Sequence, residues 1–254
     1  MCGISAIVAL QNRRSSASAQ EDEADQERLY QRMQKSLDLI KHRGPDSSGI
    51  WISDDQKIVL GHNRLAINDL STSGGQPFHS PDGSVHAVVN GELYDYKELK
   101  DELSQTIGYQ FSSNSDSEIV LALYQAYGPD FVNYLRGEFA LCLYDETKKL
   151  FIAARDRYGI KPLSWTVQNE NLLIGAEIKA FIPLDWQPEW DVKSILEAGW
   201  NFDDRTLLKD VRKVRPGYYI TCGASGNIKH HQYWDMDHPD KTACDTRSEK
   251  DIVQ

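Results

Sequence analysis

Cysteine at position 2, within Met1-Cys2-Gly3-Ile4, would carry two reactive groups once the initiator methionine is removed, as commonly happens before a small residue. Its sulfur is a nucleophile, and its α-amine, with an unperturbed pKa near ~8, is a base at neutral pH. Taken alone, a second-position cysteine is more often an ordinary buried or fraying residue. If its sulfur attacks a carbonyl carbon, the charge that develops on oxygen needs two donors, commonly an amide side chain and a backbone N–H. Asn90-Gly91, read as the end of a strand, offers both. A substrate with amino-acid character also needs a bidentate cation for its carboxylate and an anion for its ammonium. Arg43, Arg64 and Asp116 stand at the ends of elements where they could serve. The plain alternatives are a turn at Asn90-Gly91, a solvated Arg64 and a helix cap at Asp116. His42 and His62 neighbour these positions and receive no role. Ser73-Gly74-Gly75 has the composition of a phosphate-cradling loop, but Gln76-Pro77 follows and no strand-to-helix context supports it.

The elements that must position these residues can be read from periodicity. Ile4 to Leu10 is an apolar run that predicts a buried strand holding Cys2 in place. Gln11 to Asp25 is small and polar and predicts a surface loop. Leu29, Met33, Leu37 and Ile40 recur at helical spacing, and the helix must stop before Gly44-Pro45. Strands are expected at Gly49 to Ser53, Lys57 to Ile67 and Ser84 to Asn90, the last ended by Gly91. Helices follow at Tyr94 to Ser104 and Glu118 to Tyr127, the second after Ser115-Asp116-Ser117. Four more strands are expected, Glu138 to Tyr144, Lys149 to Ala154, Ser164 to Val167 and Leu172 to Gly175, with a short helix at Glu177 to Phe181. Beyond Pro183 come a short helix near Val192 to Ala198, a hairpin of Tyr218 to Cys222 with Ile228 to Trp234, and a polar end from Asp235. This order suits stacked antiparallel sheets with helices outside better than alternating βαβ units.

The chain has 254 residues, enough to bury a full core in one large domain, or one domain and an appendage. A net charge of -10 opposes a general nucleic-acid partner. Cys2, Cys142, Cys222 and Cys244 show no metal-ligand spacing, so reduced thiols and no bound metal are expected. No apolar stretch reaches the ~20 residues of a membrane span and no leader pattern opens the chain, which predicts a cytoplasmic protein with no membrane partner.

Several motifs occur in order: Met-Cys-Gly-Ile at 1 to 4, His-Arg-Gly-Pro-Asp at 42 to 46, Gly-His-Asn-Arg-Leu-Ala-Ile at 61 to 67, Val-Asn-Gly-Glu-Leu-Tyr at 89 to 94 and Ser-Asp-Ser-Glu at 115 to 118. To these add Leu135 to Ala140, Arg155 to Leu163 and Ala176 to Ala180. Together they resemble class II glutamine amidotransferases, and within them asparagine synthetase. The resemblance runs from Cys2 to about Phe181, and the segment from Asp204 to Trp234 is similar to the bridge that leads into the synthetase domain. It implies an α+β fold, the αββα sandwich of the N-terminal-nucleophile (Ntn) hydrolases, with a glutaminase domain over 2–183 and a bridge over 184–254. It also implies that Cys2 is the nucleophile and its α-amine the proton shuttle, and that Asn90 and Gly91 form the oxyanion hole. Arg64 would then hold the glutamine carboxylate and Asp116 with Glu92 its ammonium. Arg43, in the His-Arg-Gly-Pro-Asp motif, is counted with the substrate-binding residues.

Glutamine is the implied partner, with a synthetase domain in cis or in trans and a possible homodimer. No cofactor is expected in this chain. ATP and magnesium would belong to the synthetase domain, whose Ser-Gly-Gly-x-Asp-Ser loop is absent here, so this chain alone should make ammonia and not asparagine. Two further readings stay open: a binding module that kept the fold and lost turnover, and an amidotransferase of another branch.

Overall fold

The apolar run after Cys2 is strand β1, Gly3–Ala9, buried on both faces because it lies inside a sheet that lies inside a sandwich. The computed structural model that shows this describes residues 1–11, 19–197, 203–237, 247–248 and 250. β1 pairs antiparallel with β3 (Ile58–Arg64) on one side and β9 (Asn171–Gly175) on the other. With β2 (Ser47–Ile52), β8 (Ser164–Gln168) and β10 (Arg212–Lys213), the first sheet runs β10-β8-β9-β1-β3-β2. The second contains β4 (Phe78–His79), β5 (Val85–Leu93), β6 (Gly137–Asp145), β7 (Leu150–Arg155), β11 (Tyr218–Cys222) and β12 (Ile228–Gln232), in the order β12-β11-β7-β6-β5-β4.

Side chains alternate across each strand, so the two sheets need three apolar layers. Ile4, Ala6 and Val8 of β1 meet Val88, Cys142 and Phe151 of the second sheet in the middle layer. Ile7 points the other way, to Leu29, Met33 and Leu37 on helix α1 (Ala19–Leu39) and to Ile40 just beyond it. The outer face of the second sheet is covered by α2 (Tyr96–Thr106) and α3 (Ile119–Tyr127), where Val89 and Leu141 pack on Val120 and Leu123. The layers are helix, sheet, sheet, helix. Burying each large apolar side chain of α1 contributes about 1.5 to 3 kcal/mol, which holds the helix on the sheet that carries Cys2. A glycine permits that approach: a Cβ at Gly61 would stand 2.6 Å from Met33 Sδ.

Three local expectations are corrected. The polar run from Gln11 to Asp25 is helical from Ala19 onward, while residues 12–18 lie outside the described residues. Gln20, Glu21, Asp22 and Glu23 are exposed on the helix, and Glu21 and Asp22 sit in the first turn, where the helix dipole favours acidic groups. A run too polar for a core can still coat a helix. β5 does not stop at Gly91 but continues to Leu93, because β6 pairs with it as far as Leu93 opposite Gly137. The short helix expected at Glu177 to Phe181 is a 3-10 turn over Ile178–Leu184. The expected helix near residue 192 is α4, Val192–Glu197, and Ala198 lies outside the described residues. Past residue 184, β10 edges the first sheet and the β11–β12 hairpin extends the second.

Candidate active site

β4 is only two residues long and pairs with β5 only at His86 and Ala87, so the rest of that β5 edge has no strand beside it. Side chains substitute for the strand. The Val89 N–H donates to Gln76 Oε1 at 2.7 Å, and the Val89 carbonyl accepts from Gln76 Nε2 at 3.2 Å and from His62 Nε2 at 3.1 Å. Four residues on, the Leu93 N–H donates to Asp116 Oδ2 at 2.7 Å. Alternate residues of a strand point their amides the same way, which puts the Gly91 N–H on this edge between Gln76 and Asp116. A side chain is excluded there, since a Cβ on Gly91 would run into the Glu138 carbonyl.

Asn90 faces the middle of the sandwich, on the same side of β5 as Val88. It is 0% exposed, yet neither its Nδ2 nor its Oδ1 finds a hydrogen-bond partner among the described residues. Buried amides are nearly always paired, so an orphaned one at a cavity wall needs a reason. His62, also fully buried, is held neutral: burial first, and then the Arg64 charge, push its imidazole down to about 3 against the Val89 hydrogen bond. It serves as a fixed N–H donor that ties the first sheet to the second beside Asn90.

Cys2 sits at the open end of β1. Its Sγ accepts from the Leu65 N–H at 3.4 Å. Burial pushes the thiol up, outweighing the Leu65 hydrogen bond and the positive charges of the chain terminus and Arg64. A thiol held protonated needs a base before it can attack. The Cys2 main chain is held from behind, where Arg43 Nε donates to the Cys2 carbonyl at 3.0 Å and Arg43 Nη1 to Glu177 Oε1 at 3.0 Å. Opposing the burial that would raise it, hydrogen bonds from Lys179, Arg43 and His42 hold the Glu177 carboxyl down at about 2.

Cys2, Arg64, Asn90, Gly91, Glu92 and Asp116 line one cavity of about 200 Å³. The structure thus brings together six of the seven residues singled out from the sequence. Arg43 lies outside that lining, behind Cys2. Arg64 is buried rather than solvated: Nη1 donates to the Ser71 carbonyl at 2.7 Å and Nη2 to the Asp69 carbonyl. Asn90-Gly91 lies within a strand rather than forming a turn. Ser115, and not Asp116, supplies the helix cap, accepting from the Ser117 N–H.

Sequence reasoning gave no role to Gln76, Asp69, Glu138 or Lys161, which also line the cavity. Lys161 Nζ stands 3.4 Å from Glu138 Oε2. Asp156, fully buried, accepts from the amides of Tyr158, Ile160 and Lys161 and so shapes the loop that brings Lys161 there. Glu138 and Lys161 lie within the motif segments Leu135 to Ala140 and Arg155 to Leu163, and the Asp-x-Ser spacing of Asp69 and Ser71 is an Asx-turn signature, but neither signal assigns a role. Among the described residues, no cluster of three His, Cys, Asp or Glu could hold a metal, and no helix is long and apolar enough to cross a membrane.

A thiol on a fixed strand end, an unpartnered buried amide and a backbone N–H beside it can support attack on a carbonyl. Residues 1–234 match the family described as "Glutamine amidotransferase domain". The chain belongs to that family. This amidotransferase chain is 48% identical, over 254 residues and all of its length, to amidase chry2 of Gibberella zeae, and it spans 37% of that relative. It is 36% identical over 215 residues to asparagine synthetase (glutamine-hydrolyzing) 1 of Bacillus subtilis, a match covering 83% of this chain and 33% of the synthetase. In both cases the chain spans well under half of the relative's length. Among solved structures it resembles glutamine phosphoribosylpyrophosphate amidotransferase from B. subtilis, with a TM-score of 0.63 at 20% identity over 92% of this chain and 49% of that one. The expected αββα sandwich of the Ntn hydrolases is the fold of this amidotransferase domain.

Proposed function

We propose that this domain hydrolyses the side-chain amide of glutamine to glutamate and ammonia through a thioester on Cys2, and that it supplies ammonia within an asparagine synthetase-like enzyme. The observation that carries this reading is Asn90, whose buried amide has no partner among the described residues and lines the cavity that holds Cys2. With Met1 removed, the Cys2 α-amine takes the thiol proton and Sγ bonds to the amide carbon of glutamine. The oxyanion accepts from Asn90 Nδ2 and the Gly91 N–H. Collapse breaks the carbon–nitrogen bond, and the amine returns its proton to the departing nitrogen, so ammonia leaves. Water, deprotonated by the same amine, then cleaves the thioester to glutamate.

Arg64 has two of its five N–H groups committed to carbonyls, which leaves donors for the substrate carboxylate. Asp116 and Glu92 receive its ammonium. In this reading residues 184–254 form the bridge towards a synthetase half, anchored to the sheets by β10 to β12, and ATP and magnesium act only in that half. Free thiols at Cys2, Cys142 and Cys222 suit a cytosolic setting. A second reading, ammonia supply to an amidation other than asparagine formation, draws on the 48% identity to amidase chry2. Feeding amide-labelled glutamine to the whole protein separates the two by whether asparagine or another amide carries the label.

The direct test is release of glutamate and ammonia from glutamine by the purified chain without ATP. Because the amine must be neutral to act, kcat/KM should rise with pH through the range of an unperturbed α-amine, about 7.7 to 8.0. A chain free of Met1 that leaves glutamine intact across this range overturns the reading. Arg64→Ala should raise the glutamine KM by the equivalent of about 2 to 5 kcal/mol, with lysine restoring only part of it because it cannot make the forked contact. Steady-state kinetics showing an unchanged KM would remove Arg64 from substrate recognition.

A further inference from the structure

Arg64 and Asp116 reach the cavity from separate parts of the molecule. Arg64 is the last residue of β3 in the first sheet, whereas Asp116 opens the 3-10 turn Asp116–Glu118 ahead of α3, which packs on the second. The carboxylate and ammonium of an amino acid sit on one carbon, so two groups that recognise them must keep a fixed separation. A single side chain spans the gap. Asp69 Oδ1 accepts from the Ser71 N–H at 2.8 Å and Ser71 Oγ at 2.6 Å, and Oδ2 accepts from Ser73 Oγ at 3.4 Å and the Asn114 N–H at 2.9 Å. The first three contacts shape the loop whose Asp69 and Ser71 carbonyls hold the Arg64 guanidinium. The fourth reaches across to the segment that ends in Asp116.

We propose that Asp69 is a positioning residue that sets the spacing between the Arg64 and Asp116 ends of the site, and so governs affinity for a free α-amino acid head group by acting through both. This rests on the glutamine reading above. A direct ammonium contact by Asp69 is disfavoured because three close donors, the Ser71 N–H and hydroxyl and the Asn114 N–H, already occupy most of its acceptor sites, which for a carboxylate number about four. The Ser71 hydroxyl and amide, then the Asn114 amide and Arg64, hold its carboxyl down at about 2, so it stays ionised wherever the protein works. The far loop is braced as well: Lys100 Nζ donates to the Ser113 carbonyl at 2.9 Å, and the Glu118 carboxylate accepts from the Ser113 N–H at 2.8 Å. A defined link between two braced loops transmits position. Gly74 adds to the constraint, because a Cβ there would run into Arg64 Nη2.

Asp69→Asn keeps the shape and loses the charge and half the acceptors. It should raise the glutamine KM about tenfold, the equivalent of one charge-assisted hydrogen bond, with kcat changed less than about twofold. Calorimetric binding of glutamine in a Cys2→Ala background, measured well below the variant's melting temperature, should weaken by the same factor. If Cys2→Ala binds glutamine and adding Asp69→Asn changes neither binding nor KM, the positioning role is wrong and the site reading stands. If Cys2→Ala protein binds no glutamine, both fall. Should Asp69→Asn not fold, Ser71→Ala decides: a smaller KM rise at constant kcat supports the link, and an unchanged KM overturns it.

Discussion

With Cys2 replaced by alanine, the domain is expected to bind glutamine and release no ammonia from it, a loss of about 10⁴-fold or more in turnover. The binding groups survive the change, because Cys2 Sγ hydrogen-bonds to the Leu65 main chain and not to a binding side chain among the described residues, and the six register pairs between β1 and β3 do not involve it. Among the described residues no other thiol can replace it. Cys142 is fully buried in the middle layer and burial raises its thiol strongly, while Cys222 is buried on β11 with its thiol raised for the same reason. A protein that keeps Met1 should be equally silent, because the nitrogen of Cys2 is then an amide with no basic lone pair. Intact mass, an ammonia assay and calorimetry on one preparation decide both points. Turnover by Cys2→Ala would place the nucleophile elsewhere, and turnover with Met1 retained would sink the amine as base.

Asn90→Ala should lower kcat by about 10² to 10³, or roughly 3 to 4 kcal/mol, with little change in KM. The oxygen that Asn90 meets carries more charge in the tetrahedral transition state than in bound glutamine, so removing the donor weakens the transition state more than the substrate. The structure sharpens the stability side. A residue that shaped a turn or a core contact would lower the melting temperature when removed. Asn90 instead buries two polar atoms without partners, and an unsatisfied buried polar group costs about 1 to 3 kcal/mol. Alanine relieves that cost at the expense of some packing, so the variant should melt close to the parent while turning over far more slowly. A destabilised variant with near-normal kcat would take Asn90 out of the mechanism.

Much of the fold and of the site is legible in the sequence, but unevenly. A continuous apolar run locates β1, buried on both faces, while period-two and period-3.6 patterns locate β5 and α1 because burial on one face leaves a direct trace in residue type, as with Val85, Ala87 and Val89 against α3, or Leu29, Met33 and Leu37 against the first sheet. The true extent of β5 is hidden, because Gly91 looks like a breaker locally and only pairing with β6 keeps the strand going. The cavity-lining set can be read by type and by resemblance, without distances. What the sequence withholds is the set of roles that arise from tertiary contact alone. Gln76 looks like loop until its amide is seen paired with Val89, and nothing in the sequence shows that the Arg43 guanidinium donates to the Cys2 carbonyl. Neither contact leaves a periodic signal, since each joins residues distant in the chain through a side chain that any polar surface position might carry.

The shortness of β4 has a consequence for the health of the fold. Unpaired strand edges are templates for other chains, and proteins usually blunt them with charge, proline or a covering element. Here the unpaired rungs from Val89 to Leu93 are capped by the Gln76 amide at one end and the Asp116 carboxylate at the other, and the Val89, Asn90 and Leu93 side chains are all buried, on one face of the strand or the other. The same side chains therefore keep a slot open for a small molecule and closed to a foreign strand. Lengthening β4 by two pairs would mend the sheet and fill the slot, so the cleft is, in architectural terms, a break in the domain's own ladder.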